Sequence, residues 1–141
     1  MPIVHWVYGV GLVLFLFLSA PARAEQGSIA IQLNKLEVQS NQCSAYFVID
    51  NTTKKNYSDF TLDMVLFRSD GVIDQRFAVK LGPLTANKRV VKLFNLDNTP
   101  CDRVGSFLIN DVVDCKSDAG SETHCLDDIT VSSLAAAKLA K

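Results

Sequence analysis

Histidine is scarce in this chain: His5 and His124 are the two in 141 residues. Nucleophilic catalysis needs a base within hydrogen-bond reach of the nucleophile, and only His124 lies beyond the first 24 residues. No Gly-x-Ser-x-Gly elbow surrounds a serine, no glycine loop is built to cradle a phosphate, and no C-x₂-C pair supplies zinc-site spacing. The net charge is −1, with no basic-aromatic stripe, which argues against nucleic acid. Apolar runs of the roughly 20 residues that span a bilayer are missing too. Repeats, linkers and helical periodicity are likewise lacking. These absences predict a chain that is not an enzyme and carries no cofactor.

What is present begins with a leader. MPIVHWVYGVGLVLFLFLSAPARAEQ holds an apolar run from about Val7 to Leu18, then Pro21 and the small-residue motif Ala22-Arg23-Ala24. That layout predicts a cleavable signal peptide over residues 1–24, cut after Ala24, with no stable membrane anchor left behind. Glu25 stands where a lipid-bearing cysteine would be needed. The remaining 117 residues are one domain's worth, with all 15 acids and 13 of the 14 bases, for a net charge of −2.

All four cysteines, Cys43, Cys101, Cys115 and Cys125, fall after the leader. An even count in an exported chain predicts disulfides and a periplasmic or secreted location. Of three possible pairings, Cys115 with Cys125 is favoured because the two flank a short polar loop, which leaves Cys43 for Cys101. On the loop-entropy model the short bridge contributes about 3 kcal/mol and the long one about 4.

Seven short apolar runs separated by turn residues then predict strands at about 28–38, 43–50, 57–68, 72–81, 88–94, 105–113 and 125–132. In the first, Ile29, Ile31 and Leu33 share a face; in the second, Cys43, Ala45, Phe47 and Ile49 do. Phe60, Leu62, Met64 and Leu66 alternate against Thr61 and Asp63 in the third, and Ser69-Asp70-Gly71 reads as a hairpin turn. The expected fold is all-β: a single immunoglobulin-like antiparallel β-sandwich over residues 25–133, stapled by disulfides. Residues 134–141 are expected to be a short C-terminal tail that frays or makes one helical turn.

The stretches Asn51-Thr52-Thr53, Met64 to Gly71 and Leu81-Gly82-Pro83-Leu84 resemble the FxLYD-like group of immunoglobulin-like sandwiches in exported bacterial proteins. The whole chain after the leader is similar to small exported alphaproteobacterial proteins, often labelled by a twin-arginine signal. The carriers of that likeness are Cys43-Ser-Ala-Tyr-Phe47 and Asn110-Asp-Val112 followed by Cys115 and Cys125. The resemblance implies a fold and a compartment, and no catalytic residues. The leader here has no Arg-Arg pair, so no export route is carried over.

One stretch concentrates chemistry: Asp114-Cys-Lys-Ser-Asp-Ala-Gly-Ser-Glu-Thr-His-Cys125. A metal reading enlists Cys115, His124 and Cys125, making the chain a small periplasmic metal-binding protein. Adjacent strand residues such as His124 and Cys125 point to opposite faces, which favours the disulfide. Calcium fits no better, because Lys116 and Ala119 occupy positions where an EF-hand needs an oxygen ligand and a glycine. The expected function is therefore a non-catalytic interaction or accessory domain for another envelope protein, with Asp114, Asp118, Glu122 and His124 as the partner-binding loop. Charge is uneven: residues 54–92 carry +4 and residues 97–128 carry −6. Asn51-Thr-Thr and Asn56-Tyr-Ser match the N-glycosylation sequon but read equally as turn residues.

Overall fold

Alternating apolar side chains set the strands. The structure, a computed structural model, describes residues 1–3 and 27–141. The signal expected over residues 1–24 lies outside the described residues from residue 4 on. Seven strands of five or more residues follow in order: β1 (Ile29–Gln39), β2 (Gln42–Asn51), β3 (Tyr57–Arg68), β4 (Ile73–Lys80), β5 (Lys88–Leu96), β6 (Val104–Ser117) and β8 (Ile129–Ser133). Two short ones, β7 (Gly120–Ser121) and β9 (Lys138–Ala140), complete the set among the described residues. One sheet runs β5-β2-β1-β8; the other runs β4-β3-β6-β7, with β9 also on β6. This is the all-β, two-layer sandwich that the alternation predicts.

The inward faces are those the pattern names. Ile29, Ile31, Leu33, Cys43, Ala45, Phe47, Ile49, Phe60, Leu62, Met64 and Leu66 are all buried. Phe47 joins the layers, meeting Phe107 of the opposite sheet edge-on at 5.7 Å and Phe94 beside it at 5.9 Å. Each such large side chain contributes about 1.5–3 kcal/mol by leaving water.

Parity breaks along two strands. After Leu33 the apolar side chains resume at Leu36, and a bulge at Asn34 lets Leu36 face Ala45 on the inner side. Four register shifts interrupt the β3–β6 pairing, so the inner face of β6 runs Phe107, Ile109, Val112 and Cys115 without clean alternation. The strand expected to stop near residue 113 thus continues to Ser117.

Three further differences from expectation concern the C-terminal quarter. Residues 125–128 form a turn rather than the start of a strand, with Asp127 N–H donating to the His124 carbonyl at 2.9 Å. The tail neither frays nor turns helical: β9 adds to β6 in parallel, and Ala137 and Leu139 are buried. Pairing is also not wholly antiparallel, since β8 runs parallel to β1 as β9 does to β6. The chain crosses from one sheet to the other between β8 and β9, held where Ser133 Oγ donates to the Ala137 carbonyl at 2.6 Å, and this closes one side of the sandwich.

Both expected disulfides are present. Cys43–Cys101 ties β2 to a single 3₁₀ turn, Cys101–Arg103, and Cys115–Cys125 ties β6 to the turn before β8. The Ser69-Asp70-Gly71 turn forms as predicted, with Gly71 at φ 83°, where a side chain is disfavoured, and Asp70 Oδ1 accepting from Val72 N–H.

Candidate functional site

The polar end of the sandwich is built from two loops whose paired residues lie 62 and 67 positions apart in the sequence. Ser117, the last residue of β6, accepts from Ala119 N–H at 3.0 Å, which tightens the turn into β7. The same hydroxyl donates to Glu122 at 2.6 Å. Lys55 reaches across from the β2–β3 loop and donates to Glu122 at 3.0 Å. The Ser117 hydroxyl first, and Lys55 second, hold the Glu122 carboxyl below its ordinary range. Asp118 N–H donates to the Asn56 carbonyl at 3.0 Å, and Asn56 Nδ2 donates to the Asp118 carboxylate at 3.3 Å.

The four residues proposed for partner binding are therefore not equivalent. Asp118 and Glu122 are drawn onto the Lys55–Asn56 loop. Asp114 sits within β6, half-buried and opposite Thr61. His124 occupies a turn at φ 60°, is 83% exposed, and has its Nδ1 3.8 Å from the Asp127 carboxylate. Because this is not strand backbone, the expected opposite-face argument for His124 and Cys125 does not apply. The sulfurs that a metal reading needs as thiolates are, in this structure, bonded to each other. Among the described residues, no three His, Cys, Asp or Glu side chains gather as a metal would require.

Sequence reading missed the anchor beneath this end. Asn51 is fully buried. Its Nδ2 donates to the carbonyls of Lys55 at 2.9 Å and Thr85 at 3.1 Å, and its Oδ1 accepts from Thr53 N–H at 3.0 Å and Thr53 Oγ1 at 2.6 Å. Asn56 is similarly occupied, its Oδ1 accepting from Ala86 N–H at 2.9 Å. Both sequon asparagines thus serve as loop anchors, and the buried Asn51 amide has no room for a glycan. The available signal was the Asn-Thr-Thr triplet at the end of an apolar strand.

Two other surfaces carry organised polar groups. On the outer face of the β4-β3-β6 sheet, Arg76 grips Asp63 through two bonds of 2.7 and 2.6 Å, and Asn110 adds a third at 2.7 Å. On the outer face of the other sheet, Glu37 accepts from Lys35 at 3.0 Å, Tyr46 at 2.8 Å and Gln39 at 2.9 Å. Lys35, then the Tyr46 hydroxyl, pull the Glu37 carboxyl down to about 2. Beside that cluster the β5 edge exposes Val91 (62%) and Leu93 (46%).

No protein-family profile and no curated protein sequence matches this chain. Among solved structures, that of IrmA from Escherichia coli is similar, with 14% sequence identity and a TM-score of 0.51. The likeness covers 75% of this chain and 92% of IrmA. At that identity it speaks to fold alone, and the fold shared is a β-sandwich.

Proposed function

We propose that the chain is a non-catalytic interaction or accessory domain, exported with cleavage of residues 1–24, that presents its polar end and a free sheet edge to another envelope protein. The observation that carries this reading is the clamped loop over residues 114–125. The Cys115–Cys125 bond and the Glu122 contacts fix its backbone, while the Asp118 and His124 side chains remain at the surface. A loop fixed this way loses little entropy when a partner binds, which favours recognition. Two disulfides fit an oxidising compartment. The leader pattern and the likeness to exported alphaproteobacterial sandwiches point to the periplasm as that compartment.

Pull-down from envelope extract tests the role of the loop. Wild type is compared with a variant carrying Asp114→Asn, Asp118→Asn and His124→Gln; Glu122 is left intact because it holds the loop to Lys55. The variant is expected to lose at least one partner that wild type recovers. Equal recovery of every partner refutes the loop's role. Thiol titration under denaturing conditions tests the chemistry: no free thiols are expected, and two or more would return the loop to metal ligation.

A further inference from the structure

Strand β5 ends its sheet. It pairs with β2 from Lys88 to Leu96, and among the described residues nothing pairs with its other side. A nine-residue edge with free N–H and C=O groups invites another strand. Register assigns the faces: Val91 lies opposite Val48 and Leu93 opposite Tyr46, both on the outer face, while Lys92 lies opposite the buried Phe47. Lys88 lies opposite the buried Asn51 and shares that inner side.

Charge along the edge has one sign. From Thr85 to Leu96 there are three cations and no acid. Arg89 is paired with Asp50 at 2.7 Å. Among the described residues, neither Lys88 nor Lys92 has an ion-pair partner. An inward lysine on an edge strand is a known barrier to edge-to-edge association. Here it discriminates between occupants. A second copy that brought Val91 against Leu93 of its twin would have to be centred on Lys92, setting two lysines directly opposite one another, which is destabilising. A strand with an acid at that place, flanked by two apolar residues, satisfies both faces at once.

We propose that the free β5 edge accepts an extended segment of a partner protein reading apolar-acid-apolar, its acid facing Lys92 and its apolar side chains extending the Val91–Leu93 stripe. Main-chain hydrogen bonds would supply affinity, and the Lys92 pairing would supply selectivity. This deepens the interaction role proposed above and rests on it.

The probe is a fluorescein-labelled peptide, Thr-Val-Glu-Val-Thr-Thr-Glu, against the same peptide with lysine replacing the first glutamate. Anisotropy is followed on chain expressed from its complete coding sequence. The glutamate peptide is expected to bind saturably and about five- to tenfold more tightly than the lysine peptide. Lys92→Glu is expected to reverse that preference and Lys92→Gln to erase it, with circular dichroism reporting that both variants keep the sheet signal. Equal affinity for the two peptides, absence of saturable binding, or an unreversed preference in Lys92→Glu would overturn the proposal. So would a dimer in sedimentation that Lys92→Thr strengthens, because a second copy would then be the occupant. Peptide binding needs no native partner, so its failure leaves the loop pull-down standing, and a failed pull-down leaves the edge result standing.

Discussion

Asn51→Ala is the most discriminating test of how the polar end is built. The substitution removes a side chain with no solvent exposure that serves five hydrogen bonds. Not all the losses count equally. The Leu84 carbonyl still accepts from Tyr57 N–H at 2.8 Å, and the Lys55 carbonyl retains a 3.4 Å contact with Thr53 Oγ1. Thr85 is exposed, so water can replace the amide on its carbonyl. The Thr53 N–H, held in a buried bond, has no substitute. One orphaned buried donor at about 1–3 kcal/mol, together with the net value of the remaining bonds at about 0.5–1.5 each, gives an expected loss of about 3 kcal/mol. For a domain of this size that corresponds to a fall of roughly 12 °C in Tm. Thr52→Ala, in the same triplet, is the control. Its two bonds to Ser28, at 2.8 and 3.0 Å, are exposed, and its loss is expected to cost under about 1 kcal/mol. Urea denaturation followed by circular dichroism, with an unchanged m-value, measures both. A loss below about 1 kcal/mol for Asn51→Ala, or equal losses for the two variants, would refute the anchoring argument.

Three other outcomes follow from the same structure. Replacing Cys43 and Cys101 together by alanine, which opens a loop of 58 residues, is expected to cost about 4 kcal/mol, against about 3 for the 10-residue Cys115–Cys125 loop; equal losses in urea titrations would contradict the loop-length argument. Leu139→Ala, in the strand that was expected to be loose tail, is expected to cost about 2 kcal/mol, the low end for a buried leucine at a sheet margin; no change in urea midpoint would mean that β9 does not hold. Glu37, Asp63, Asp70 and Glu122 all have carboxyls held below their ordinary range. Between those ordinary values and the lowered ones the unfolded chain binds more protons than the folded one, so this stability is present above about pH 4.5 and is lost as pH falls toward about 2. Glu37→Gln is therefore expected to flatten the drop in urea midpoint between pH 7 and pH 3, and an unaltered drop would remove Glu37 from the account.

Much of the body was legible in the residues. Period-two alternation in residues 29–33, 43–49 and 60–66 named the inner faces because a strand's side chains must alternate, whatever they pack against. The two cysteines around residues 115–125 could be paired on spacing, and Asp70-Gly71 could be placed in a turn because glycine tolerates its backbone. Where bulges changed parity, as at Asn34 and along β6, the pattern lost its phase and the strand end was misplaced. Alanine-rich residues 134–141 gave no strand signal at all, since only the empty flank of β6 makes Leu139 a core residue.

The candidate site divides the same way. Local composition marked residues 114–125 as polar and crosslinked, and it supplied the acids. It could not show that Glu122 is held by Lys55, 67 positions away, or that the Asn51 amide is consumed by the carbonyls of Lys55 and Thr85. Nor could it show that Lys92 is left on an open sheet edge. Alternation is a property of one strand and can be read from it. Which strands lie at the margin, and which distant loops meet, depends on how the sheets close over a common core, and that is decided only once the whole chain has packed.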